Sequence, residues 1–226
     1  MSLFPLVPFG GQFSGRTVFL AHCEGADAST TFTDSSVGAH TVTPAGNAQI
    51  DTAQFKFGAA SALFDGTGDY LTLDGSADFA FGAGDFTVDF WVRFASLAAA
   101  TIIYDSRPAS TNGFYPTIYA DSSLLRFFTN GADRITGATS LSTGTWYHVA
   151  VSRVGASTRL FLNGAQEGST YADTNVYLNG SSRPAIGSSG HTIGTSTLNG
   201  WKDEIRVSKG IARWTGTFTP PAVPYV

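Results

Sequence analysis

The segment from Asp85 to Phe94 limits the fold most. Phe86, Val88, Phe90, Val92 and Phe94 fall at every second position, with Thr87, Asp89, Trp91 and Arg93 between them. A strict period of two, filled with aromatic and β-branched residues, has no helical reading. It predicts a strand with one face in a core. Trp146 to Arg153 repeats the pattern, setting Tyr147, Val149 and Val151 against Trp146, His148 and Ala150. Arg159 to Leu162 follows and is closed by Asn163-Gly164, a pair suited to the positive φ angles of a tight hairpin turn. Shorter strands are predicted at 17–22, 61–64, 70–73, 101–104, 114–120, 124–128 and 199–207. Pro116 demotes its segment to an edge or a bulge.

About a dozen short strands with no helix longer than a turn or two predict an all-β chain: a two-sheet antiparallel jelly-roll sandwich. The 26 glycines and 9 prolines supply its turns. No repeat of fixed period is visible, which excludes a propeller or a solenoid. Residues 16–226 are read as one domain, with residues 1–15 as an extended apolar arm.

That arm, MSLFPLVPFGGQFSG, carries Phe4, Leu6, Val7, Phe9 and Phe13 between prolines and glycines, with no charge before Arg16. Prolines hold such a segment extended, and its phenylalanines are costly to leave in water. It is expected either to fold back on its own sandwich or to dock on another subunit or protein. The C-terminal FTPPAVPYV is similarly extended and apolar.

Charge narrows the functional classes. Thirteen Lys and Arg against 17 Asp and Glu leave a formal charge of −4, which argues against nucleic acid, whose phosphates demand a basic stripe. No apolar run reaches the ~18 residues that span a bilayer, so no membrane insertion is expected. The N-terminus lacks the basic start and sustained apolar centre of a signal peptide. Cys23 is alone, which excludes an intrachain disulfide and a multi-cysteine zinc site. Within TVFLAHC it reads as a small buried hydrophobe.

The segments FDGTGDYL at 64–71, DFTVDFWV at 85–92, WYHVAVSR at 146–153, LFLNG at 160–164 and NGWKDEIRVS at 199–208 together resemble laminin-G-like domains of the concanavalin-A-like lectin/glucanase superfamily. That resemblance spans about residues 17 to 222 and implies a jelly roll of two curved antiparallel sheets. The flanks TTFTDSS at 30–36, KFGAAS at 56–61, and GIARW at 210–214 leading to FTPP at 218–221 look like laminin-G-like proteins of tailed bacteriophages. In such proteins the module is a virion decoration, fibre or tail component.

Superfamily hydrolases carry two glutamates and an aspartate on one strand. Retaining hydrolysis needs carboxyls about 5–5.5 Å apart. This chain has only Glu24, Glu167 and Glu204, no two in one segment. Asp85 and Asp89 stand roughly 13 Å apart by strand rise. There is no nucleophile elbow, and His22, His40, His148 and His191 lack ligand-like spacing. No enzyme is expected.

Alternation from Trp201 to Val207 places Asp203 beside Trp201, Ile205 and Val207. A carboxylate on an apolar face needs a partner or a metal. Related sandwiches often hold a structural calcium near the chain ends. The resemblance therefore implies a candidate calcium set of Asp203, Asp34 and Glu24, completed by backbone carbonyls. The competing expectation is that Asp203 accepts backbone amides or pairs with an arginine.

Glycan binding is the family's usual non-catalytic use, with aromatic rings under sugar faces and polar groups at the rim. Loop candidates are Arg107, Tyr115, Tyr171, Asp173, Asn175 and Tyr177, the last four in the serine- and glycine-rich stretch 168–200. The expected function is a non-catalytic virion structural or decoration protein, several copies held to capsid or tail through the arm, with surface glycans as possible further partners. The alternatives are a free-standing carbohydrate-binding adhesion module and a glycoside hydrolase.

Overall fold

The computed structural model describes residues 16–97, 99–181 and 183–226. The arm residues Phe4, Leu6, Val7, Phe9 and Phe13 lie outside the described residues. In chain order the strands are β1 (Thr17–Ala21), β2 (Val42–Ala45), β3 (Gln49–Asp51), β4 (Ser61–Asp65), β5 (Tyr70–Leu73), β6 (Phe86–Phe94), β7 (Thr101–Asp105), β8 (Thr117–Asp121), β9 (Leu124–Thr129), β10 (Ala132–Thr136), β11 (Trp146–Val154), β12 (Ser157–Leu162), β13 (Ala165–Ala172), β14 (Ala185–Ile186) and β15 (Asn199–Lys209). They form two antiparallel sheets. The first runs β13-β12-β11-β6-β15-β4-β3, with β1 continuing the edge of β15 beyond β4; the second runs β10-β9-β8-β7-β14-β5-β2. The jelly-roll expectation is met.

The core lies between the sheets. The alternating face of β6, Phe86 to Phe94, is wholly buried, joined by Val149 and Val151 of β11 and Leu160 of β12. Leu71, Ile103, Ile118 and Phe127 answer from the second sheet. Each such side chain contributes about 1.5–3 kcal/mol on burial. Pro116 does not make its segment an edge: it stands just outside the ladder, and β8, from Thr117, pairs with β7 on one side and β9 on the other, with a register shift on the β7 side between Ile102 and Tyr104. Strands β2, β3, β10, β13 and β14 were not anticipated; they are short or polar, and they pair where sequence alternation is weak. The stretch read as loop from Gly168 is strand as far as Ala172.

The face of the first sheet away from the core is also closed. Asp89 and His148 are inaccessible there, although polar positions opposite a core face normally meet water. Residues 210–226 cover them as a strap. Thr87 Oγ1 donates to the Ile211 carbonyl and accepts from the Arg213 amide, fixing the strap's start. Trp214 and Phe218 stack with centroids 4.1 Å apart, each meeting the His148 ring edge-on. Phe218 N–H donates to the Gly164 carbonyl at the β12–β13 turn, where a Cβ would collide with the Phe218 carbonyl oxygen. Gly164 is therefore required twice, for its positive φ and for this close approach.

Beneath the strap, Arg206 grips Asp89 with two hydrogen bonds of 3.1 and 2.8 Å, and its guanidinium lies 3.8 Å over the Tyr225 ring. Tyr225 hydroxyl meets His148 Nε2 at 2.9 Å, and its amide donates to Glu204 Oε2. Burial alone pushes the Asp89 carboxyl up, but Arg206 and His148 overcome it and hold the acid below the ordinary carboxylate range.

One register shift, between Asp203 and Arg206, corrects the reading of β15. Glu204 takes φ +51°, and a bulge of this kind reverses the alternation. Lys202, not Asp203, shares the inner face with Ile205 and Val207. Its ammonium sits 3.7 Å over the Phe90 ring and donates to the Ile103 carbonyl, and burial pushes its pKa well down. Asp203 faces the other way, where its Oδ2 accepts the Lys56 and Phe57 amides. Burial raises its pKa from the ordinary 3.8 to about 7. His22 is raised as well, by its hydrogen bond to Glu204.

Two outcomes follow from these contacts. Asp89→Ala leaves Arg206 buried without its counter-charge and should cost about 3–5 kcal/mol in urea unfolding; a loss below about 1 kcal/mol would contradict the role given to the pair. Asp203 and His22 both bind protons more tightly folded than unfolded: the Asp203 stabilisation is complete below its ordinary 3.8 and lost as pH rises to about 7, and that of His22 is complete below its ordinary 6.5 and lost as pH rises above it. Melting temperature should therefore fall between about pH 4 and pH 7, and Asp203→Asn should flatten most of that slope, an unchanged slope counting against the assignment.

Candidate functional site

With one sheet face strapped, the outward face of the second sheet has no such strap among the described residues. Ile118 and Ala120 of β8, and Leu125 and Phe127 of β9, point into the core, so Thr117, Tyr119, Arg126 and Phe128 point away from it. There they meet the turn after β7 and the 189–196 loop around a cavity of about 230 Å³ lined by Ala100, Ile102, Arg107, Thr117, Tyr119, Phe128, Ser189 and Ser196.

Asp105, at the end of β7 and inaccessible to solvent, organises this cleft. Its Oδ1 accepts the Arg107 amide at 2.9 Å, the two-residue reach typical of an aspartate-led turn. The same carboxylate accepts Arg107 Nε and Nη2, the Thr117 hydroxyl and the Gly190 amide. Arg107 is thereby held 4.9 Å over the Phe128 ring, while its Nη1 donates to Asn112. Arg183 donates to the Arg107 and Gly190 carbonyls and ties the two loops together.

Across the cleft, Tyr119 hydroxyl donates to Asp133 Oδ1 at 2.7 Å, and Asp133 Oδ2 accepts Arg126 Nη1 at 2.9 Å. Arg126 Nη2 stands 3.3 Å from Asp121. Burial and then the Asp133 carboxylate raise the tyrosine hydroxyl's pKa, so it stays protonated. Ala100 and Ser196, on the rim, take φ +54° and +52°. Non-glycine residues in this region carry strain that tends to collect at functional sites. The result is an apolar floor of Ile102, Tyr119 and Phe128 under a rim of fixed hydroxyls and one arginine.

Of the sequence candidates, Arg107 is in the cleft. Tyr115 is buried beside it but does not line it. Tyr171, Asp173, Asn175 and Tyr177 form a cluster elsewhere. Asp173 accepts the Thr158 and Tyr177 hydroxyls at 2.6 and 2.7 Å, and Asn175 Nδ2 donates to Asp173 and Tyr171. Asp173 and Tyr177 are buried, with Arg153 5.3 Å over the Tyr177 ring. Their hydrogen bonds are spent within the protein, pinning the 173–177 loop to β12 and β11. Tyr119, Phe128, Ser189 and Ser196 were missed by sequence reasoning. Alternation within the two predicted strands at 114–120 and 124–128 was the available signal for Tyr119 and Phe128.

The three carboxylates of the calcium expectation do not converge. Asp34 accepts the Leu20, Ser36 and His40 amides, and Glu24 accepts the Ala59 amide. Asp203 is committed to Lys56 and Phe57. Among the described residues no three His, Cys, Asp or Glu side chains are grouped to hold a metal ion. Glu24 and Asp203 both hold the 56–59 turn, and Asp34 holds the turn that follows β1.

Structures of similar shape include domain 4 of AbnA, a GH43 extracellular arabinanase from Geobacillus stearothermophilus, in complex with arabinotriose. It is 16% identical with a TM-score of 0.65, covering 87% of this chain and 94% of that one. The binding domain of Paraclostridial Mosquitocidal Protein 1 is 14% identical at TM-score 0.66, covering 88% and 50%. That of botulinum neurotoxin serotype D is 11% identical at TM-score 0.66, covering 90% and 50%. This chain thus spans about half of each toxin binding domain. No curated protein sequence matches it. The family model of the concanavalin A-like lectin/glucanases superfamily matches residues 65–213, from the end of β4 through the start of the strap, and the chain belongs to that family.

Proposed function

We propose that this protein is a non-catalytic carbohydrate-binding module that seats a glycan in the cleft between Arg107, Tyr119 and Ser196. The observation that carries this reading is the cleft's make-up: an aromatic and aliphatic floor, the Ser189 and Ser196 hydroxyls, and a rim whose shape Asp105 fixes by holding Arg107 and Thr117. Sugars present apolar C–H faces and a fringe of hydroxyls, and such a surface meets both. The AbnA domain, solved with arabinotriose, makes a sugar a reasonable first ligand to try.

Absence of catalysis is part of the proposal. Glu167 accepts the Ala138 and Thr139 amides, Glu24 the Ala59 amide, and Glu204 the Tyr225 amide and His22. Asp105, Asp121 and Asp133, beside the cleft, each face an arginine. Glycoside hydrolysis needs two carboxyls free to flank one substrate bond, and these three are each held by an arginine instead. The likeness of the flanks to phage-encoded proteins favours display of several copies on a virion, where avidity raises a weak single-site affinity. Residues 1–15 would serve as the tether.

Binding is checked by calorimetry against a panel of oligosaccharides. Tyr119→Ala should weaken the best ligand about ten-fold, equivalent to about 1.4 kcal/mol, with an unchanged melting temperature. Equal binding by the variant, or shortening of the oligosaccharide on incubation, would overturn the reading.

A further inference from the structure

We infer that the cleft selects neutral glycans and discriminates against acidic ones such as uronates, sialylated or sulfated chains. This rests on the reading of the cleft as a glycan site and adds the chemical class of its ligand. Recognition of a sugar carboxylate or sulfate needs a guanidinium or ammonium whose donors are free to form a fork. One arginine, Arg107, lines the cleft, with Arg126 and Arg183 beside it, and each already faces acids or carbonyls of the protein. Arg107 spends Nε and Nη2 on Asp105, at 2.7–3.1 Å, and Nη1 on Asn112. Arg126 faces Asp133 on one terminal nitrogen and Asp121 on the other. Arg183 reaches backbone carbonyls on the protein side of the loops.

Charge balance supports the same conclusion. Arg107, Arg126 and Arg183 stand against Asp105, Asp121 and Asp133, so the neighbourhood sums to zero, within a chain of net charge −4. An anionic sugar that drew Arg107 away from Asp105 would leave a wholly buried carboxylate without its counter-ion. At Arg126 it would meet two aspartates first. What the rim offers freely is hydroxyl chemistry. Ser189 Oγ accepts the Thr192 amide and keeps its own O–H to give, and Ser196 is exposed. A hydroxyl that both donates and accepts matches a sugar hydroxyl better than it matches an anion.

The test measures affinity of the wild type and of Asp133→Asn for neutral xylo- and gluco-oligosaccharides and for galacturonate oligomers of equal length, at low and at physiological salt. Asparagine retains an oxygen for the Tyr119 hydroxyl while turning the local balance to +1. The wild type should bind at least one neutral series and bind galacturonate at least ten-fold more weakly. Asp133→Asn should narrow that gap several-fold, more at low salt. Galacturonate binding as tight as or tighter than the neutral series would overturn the selectivity while leaving the glycan site standing. No binding of either series, even at millimolar concentration, would instead overturn the glycan reading beneath it.

Discussion

Everything that distinguishes one face of this sandwich from the other follows from the Asp89–Arg206 pair. Both residues lie on the outward side of central strands, where water would ordinarily solvate them. They are instead sealed under an apolar strap whose Tyr225 ring stacks on the guanidinium and whose hydroxyl meets His148. A buried ion pair of this kind stabilises little in itself against a hydrophobic replacement, but breaking it is expensive. It therefore acts chiefly as a specificity device: the strap fits only if the ring of Tyr225 lands on the one cation it can cover. The Gly164 turn and the Thr87 hydroxyl fix the strap's path between those points.

A strapped face cannot receive a ligand without first losing the strap. Among the described residues none forms such a strap over Tyr119 and Phe128 of the second sheet, and its buried carboxylate, Asp105, is used differently. It gathers an arginine, a hydroxyl and an amide from three separate segments and so builds a rim instead of a lid. Two buried aspartates, each paired with arginine, thus give one strapped face and one rimmed cleft.

The sequence disclosed what repeats and concealed what bends. The alternation in β6 and β11 announces a half-buried sheet without ambiguity, and the Asn163-Gly164 turn marks its hairpin. In β15 the same logic fails after Asp203, because the φ +51° of Glu204 inserts a residue that no pattern of hydrophobicity reveals. That single bulge moves Lys202 into the core and turns Asp203 to the other face of the sheet, onto the Lys56 and Phe57 amides. Asp173 and Tyr177 look like loop residues in sequence, yet they are buried because Thr158 and Arg153, far along the chain, come to meet them. Only Arg107 of the cleft was recognised, since its neighbours come from strands and a loop that meet only in the fold.

The account stands on which face of the sandwich holds the sugar. A crystal structure of the chain with a bound neutral oligosaccharide decides this directly. The sugar should lie along Tyr119 and Phe128 with its hydroxyls toward Ser189 and Ser196. A sugar found instead on the strap at Trp214 and Phe218, or at the Tyr171–Tyr177 loop with the cleft empty, would contradict it.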